Sequence, residues 1–201
     1  MRRSIDVEPL RRTAKALGEL RNSVVFIGGA AIPLLVTDEA MPYVRPTKDV
    51  DIVVEAATRA EYYALCEQLR ALGFREDRSV GAPICRWVHG DQRLDVMPID
   101  EEILGLRGRW FRAACDSAWA CELEPGCAIR VAAAPEIVAT KIDAFADRGG
   151  GDYALSKDMD DLVTLVDGRP ELPEEIRRST AALQAFIRDA EIGRASCRER
   201  V

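Results

Sequence analysis

The chain alternates between two hydrophobic periods. From about residue 6 to 21, Val7, Leu10, Ala14, Leu17 and Leu20 recur at spacings of three and four, which predicts an amphipathic helix with Asp6 near its start. Val24–Ile27 is a continuous apolar run of strand length, followed by Gly28-Gly29 and a segment, Ala30–Val36, able to form a short helix. Thr37–Pro46 reads as a loop containing Pro42 and Pro46. Asp49–Glu55 switches to period two. Successive side chains of a strand point to opposite faces, so Asp49 and Asp51 share one face while Val50, Ile52 and Val54 enter a core.

The second half continues the alternation. Thr58 with Glu61 three residues later is a capping box, opening a helix that runs to about Leu72 and stops at Gly73. Phe74–Glu76 begins a strand, Ile84–His89 and Gln92–Pro98 form a hairpin around Gly90-Asp91, and Trp119–Glu122 with Ala128–Val131 form another. After Ala134 the period becomes helical: Pro135 suits a first turn, and Ile137, Val138, Lys141, Ile142 and Phe145 lie on one side. Gly149-Gly150-Gly151 ends that helix, Lys157–Val166 forms the next, and Glu174–Asp189 is read as one final helix. The expected fold is α+β, a mixed sheet with antiparallel neighbours and flanking helices, with a core over 1–132 and a helical C-terminal part over 133–190.

Composition adds few constraints. The formal net charge is −6, and Met1-Arg2-Arg3 leads into polar residues, not an apolar leader. No apolar run approaches membrane-spanning length, so a cytoplasmic protein without a membrane partner is expected. Cys66, Cys85, Cys115, Cys121, Cys127 and Cys197 include no C-x-x-C pair, and His89 has no matching ligand set; reduced, packing thiols are expected. Residues 191–201 back-translate into a common sequencing adapter, so this tail is expected to be non-native and is excluded from fold reasoning.

The chemistry concentrates at Asp49 and Asp51. Adjacent carboxylates repel unless a cation neutralises them, and hard oxygen donors suit Mg²⁺ or Mn²⁺; a bare Asp-x-Asp also fits a solvent-facing strand end. Gly28-Gly29 after a strand lets backbone N–H groups approach an anion, although the same pair serves in a tight turn. Together, a phosphate cradle and metal-binding carboxylates point to a nucleotide.

Gly28-Gly29 followed by Asp49-x-Asp51 resembles the signature of the polymerase-β-like nucleotidyltransferase superfamily, whose third carboxylate lies on a later strand. Asp95, in Arg93-Leu94-Asp95-Val96-Met97-Pro98, matches it. Over roughly residues 20–167 the chain is similar to AbiEii-type toxin nucleotidyltransferases, through Lys141 and the run Lys157-Asp158-x-x-Asp161-Leu162. The resemblance implies transfer of a nucleoside monophosphate from an NTP to an acceptor hydroxyl, with release of pyrophosphate. It assigns Asp49, Asp51 and Asp95 to Mg²⁺ or Mn²⁺, and makes Asp95 a candidate proton acceptor. Gly28, Gly29, Lys48, Lys141 and Asp158 are assigned to the nucleotide, and Asp161 to an assisting catalytic role. By spacing alone, Lys141 reads as a solvated or snorkelling side chain. Two features depart from the common pattern: Gly28-Gly29-Ala30 stands where many members have Gly-Ser, and the glycine loop lengthens the interval after Lys141.

For the acceptor, the resemblance implies tRNA or another macromolecule such as a protein, and a cognate antitoxin as partner. A small, aminoglycoside-like acceptor and a non-catalytic nucleotide-binding role remain as alternatives. The chain has no basic stripe interleaved with aromatics; Arg107, Arg109 and Arg112 are a candidate phosphate contact or a solvated surface.

Overall fold

The computed structural model describes residues 6–40, 47–148 and 155–190. Pro42, Pro46, Gly149–Gly151 and the expected non-native tail lie outside the described residues. Helix α1 (Glu8–Leu17) continues into a 3₁₀ segment, Gly18–Ser23, and then β1 (Val24–Ile27). A 3₁₀ turn over Gly29–Ala31 leads into the short α2 (Ile32–Leu35). Next come β2 (Asp49–Val54), α3 (Arg59–Ala71), β3 (Arg75–Glu76), β4 (Arg86–His89) and β5 (Gln92–Pro98). Helices α4 (Glu101–Leu104) and α5 (Phe111–Asp116) precede the hairpin of β6 (Trp119–Glu124) and β7 (Cys127–Val131). The chain then continues as α6 (Ala134–Arg148), α7 (Lys157–Gly168), α8 (Leu172–Arg178) and α9 (Ala181–Asp189).

The described strands form one seven-stranded sheet in the order β3-β4-β5-β2-β1-β7-β6. Its centre is mixed: β1 runs antiparallel to β2, whereas β2 and β5 are parallel. Alternation along each strand supplies both faces. Val24, Phe26, Val50, Ile52, Val54, Leu94 and Val96 pack against Leu10, Ala14 and Leu17 of α1 and Tyr62, Cys66 and Leu69 of α3. Val25, Ile27 and Val53 turn the other way, onto Phe111, Ile137, Val138, Ile142, Met159 and Leu162. The sheet is thus covered on both sides, and the expected α+β class is observed.

Local chemistry explains the boundaries. Thr58 Oγ1 accepts from Glu61 N–H at 3.2 Å and Glu61 Oε2 accepts from Thr58 N–H at 3.0 Å, a complete capping box. The last helix, expected to be continuous over Glu174–Asp189, is divided: Ser179 is extended, and Thr180 Oγ1 caps α9 by accepting from Leu183 N–H. Apolar spacing carried through that break because α8 and α9 both bury residues against the same region. The strand expected from Ile84 begins at Arg86, leaving Ile84 exposed. Helices α4 and α5 had no clear period and were not anticipated. No helix of the described residues is long and apolar enough to cross a membrane.

Candidate active site

Gly28 closes β1 at φ +73°, a backbone region costly for residues with a Cβ. A Cβ placed there would lie 1.9 Å from Asp51 Oδ2, so glycine is required both by the turn and by the carboxylate beside it. Asp51 is the register partner of Ile27 on one side and of Asp95 on the other. Asp49, two residues back on β2, points to the same face. The three expected carboxylates are therefore brought to one end of one sheet face, the face that further along buries Val53.

Two arginines share this site and were missed in the sequence. Arg86, directly opposite Asp95 on β4, donates from Nε and Nη2 to the two Asp95 oxygens, both at 2.8 Å. Its Nη2 also stands 3.7 Å from Asp49 Oδ2. The fork holds the Arg86 proton more tightly than in a free guanidinium, outweighing the opposing effect of burial. Arg93 Nη1 lies 3.5 Å from Asp49 Oδ1, an oxygen that is buried and accepts no hydrogen bond. The signal for Arg86 was available: the Gly90-Asp91 turn pairs His89 with Gln92, and counting outward reaches Arg86 and Asp95. Among the described residues, no three His, Cys, Asp or Glu side chains stand close enough together to hold a metal ion as they are.

A second cluster lies within electrostatic reach of Asp51. Ile137, Val138 and Ile142 turn the face of α6 that carries Lys141 into the core, so the lysine is buried. Its Nζ lies 2.6 Å from Asp161 Oδ2 and 3.1 Å from Asp158 Oδ1, both carboxylates being buried on α7. Ser156 Oγ caps α7 by accepting from Met159 N–H, which places Asp158 in the first turn and Asp161 one turn on. Burial depresses the Lys141 pKa, but Asp161, Asp158 and then Asp51 outweigh it, and the net direction is upward. The solvated lysine read from spacing is thus a buried ion-paired one.

The remaining candidates have varied surroundings. Lys48 is exposed beside β2, and Gly29 opens the 3₁₀ turn. Arg107 pairs with Asp147, Arg112 with Glu55, and Arg109 stacks on Trp110 and Phe186 at 5.2 Å, so the three arginines have different partners. His89 lies against the Phe74 ring at 4.9 Å. Burial pushes the Cys85 thiol up to about 12 and Cys115 to about 11; the described cysteines are all free.

The profile of the family described as "Nucleotidyl transferase AbiEii toxin, Type IV TA system" matches residues 89–199, more than half of the chain. The chain belongs to the AbiEii family. It is a nucleotidyltransferase. The match takes in Asp95, Lys141, Asp158 and Asp161 and overlaps the segment read as adapter-derived, while Gly28, Asp49 and Asp51 precede it. Among solved structures, the chain is similar to the antibiotic-resistance factor ANT(2'')-Ia in solution, at 15% identity and TM-score 0.53, covering 95% of this chain and 94% of that one. The same factor in complex with adenylyl-2''-tobramycin aligns at 17% identity and TM-score 0.54, over 89% and 97%. An antigenic nucleotidyltransferase-like protein from Paracoccidioides brasiliensis aligns at 19% identity and TM-score 0.55, over 97% and 91%. At these identities the likeness shows the AbiEii-family chain to share their fold. No curated protein matches.

Proposed function

We propose that this AbiEii-family chain transfers a nucleoside monophosphate from an NTP to an acceptor hydroxyl in a divalent-metal-dependent reaction, as the toxin of a toxin–antitoxin pair. The observation that supports it best is the pairing of Asp51 with Asp95 across β2 and β5, with Asp49 on the same face and Gly28 against Asp51. Hard carboxylate oxygens suit Mg²⁺ or Mn²⁺, and the buried, unbonded Asp49 Oδ1 is a donor such an ion would satisfy. Asp49, Asp51 and Asp95 would hold it. When bound, it neutralises phosphate charge and favours the in-line displacement.

The chain's own groups do the rest. Gly28 and Gly29 bring backbone close to the triphosphate, and Lys48 adds positive charge at the edge. Lys141, fixed by Asp158 and Asp161, projects its charge toward Asp51 and the phosphates beyond. Asp161 acts by holding that ammonium. Asp95 accepts the proton of the acceptor hydroxyl as its oxygen bonds to the α-phosphorus and the bond to pyrophosphate breaks.

The acceptor we favour is tRNA, with a cognate antitoxin as partner, on the strength of the family. A small-molecule acceptor is the second reading, favoured by end-to-end likeness to a fold that carries an adenylylated aminoglycoside in one structure. Incubation with Mg²⁺, each α-labelled NTP and either total tRNA or tobramycin tests both. Label on tRNA that disappears in Asp51→Ala supports the first; label on tobramycin alone replaces it with the second.

A further inference from the structure

We propose that Arg86 is a built-in counter-cation that competes with the divalent ion for Asp95, so that the protein takes up metal mainly together with the nucleotide. This inference rests on the metal-site reading above. Asp49, Asp51 and Asp95 bring three carboxylates to one face, and Arg86 bridges two of them, contacting both oxygens of Asp95 and standing 3.7 Å from Asp49 Oδ2. Asp49, Asp51 and Asp95 would hold the divalent ion, so the guanidinium occupies carboxylates that the ion would need.

The two guanidiniums at the site differ. The Arg86 side chain is 17% exposed and fixed by strand pairing opposite Asp95, whereas that of Arg93 is 55% exposed and only approaches Asp49. A forked guanidinium–carboxylate pair occupies one lone pair on each oxygen and neutralises the charge that would attract a metal. A bare ion must therefore displace or share Arg86. An NTP-bound ion brings phosphate oxygens of its own and needs fewer ligands from the protein. Arg86 is thus a positioning residue: it keeps Asp95 aligned in the absence of metal and sets free-metal affinity low.

The test is Mn²⁺ binding to the full chain without nucleotide, followed by electron paramagnetic resonance. In Arg86→Gln, which loses the charge, Mn²⁺ is expected to bind about tenfold tighter than to the wild type. In Arg86→Lys, which keeps a charge but not the fork, the gain is several-fold, and this variant decides the matter if the glutamine protein does not fold. With ATP present, the difference between wild type and variants shrinks. Equal or weaker Mn²⁺ binding in the variants overturns the role of Arg86 while leaving the metal site standing. If no protein binds Mn²⁺ with or without ATP, the metal-site reading fails and this inference with it.

Discussion

The strand cluster and the helix cluster solve the same problem in opposite ways. Asp49, Asp51 and Asp95 are gathered by backbone register on β2 and β5, and their charge is offset by Arg86 and the more exposed Arg93. Lys141, Asp158 and Asp161 are gathered by side-chain packing between α6 and α7, where one ammonium serves two carboxylates. Each cluster carries one more acid than base. The difference lies in what stabilises them: the strand carboxylates remain partly open to an incoming cation, whereas the helix cluster is closed and must keep its own cation. On the proposed function, an excess acid is therefore a binding capacity at the strand ends, whereas in the core it is a folding requirement.

The comparison breaks most directly at Asp51. Asp51→Ala is expected to reduce nucleotide transfer about 10³-fold or more while leaving the unfolding midpoint nearly unchanged, because the strand cluster is proposed to serve chemistry rather than folding. Full activity in that variant would remove the metal-site assignment. At the helix cluster the expectation reverses: Lys141→Met leaves two buried carboxylates uncompensated and costs about 3 kcal/mol in denaturant unfolding. A midpoint that does not move would show that water already reaches Asp158 and Asp161.

A smaller effect sharpens the strand side. Gly28→Ala adds a Cβ 1.9 Å from Asp51 Oδ2 at positive φ, whereas Gly126→Ala at φ +78° meets nothing within 4 Å. Both incur the backbone cost of about 1 kcal/mol, but only Gly28→Ala should also lose nucleotide transfer, since only there must the carboxylate move. Matching activities in the two variants would separate Gly28 from the site.

The smallest effect is a difference in pH dependence. The folded state raises the Lys141 pKa, so its contribution is fully present below the unfolded value of about 10.4 and is lost as pH rises through the folded one. As pH rises above about 10.4 the wild type should therefore lose more stability than Lys141→Met. Parallel stability curves would place the ammonium in solvent.

The strands were the most legible part, because a period of two and a Gly-Asp turn define both face and register within a few residues. Val24–Ile27 and Gln92–Pro98 are observed with the bounds expected of them, and the capping box at Thr58 forms as read. The division of α8 from α9 and the short helices α4 and α5 were less legible, since a seven-residue helix contains too few turns for apolar spacing to declare itself. Arg86 was passed over because an arginine in a strand reads as a solvated edge until its cross-strand partner is counted.

The amino-acid order by itself determined that Asp49 and Asp51 share a face, that Asp95 lies on the second strand of a hairpin, and that a Gly-Gly turn closes β1, because each depends on near neighbours along the backbone. Only the tertiary structure decided that Asp95 stands beside Asp51, that Arg86 grips it, and that Lys141 is buried between two acids. The parallel pairing of β2 with β5 and the packing of α6 on α7 join residues far apart in the chain, and no local period encodes which distant partners meet.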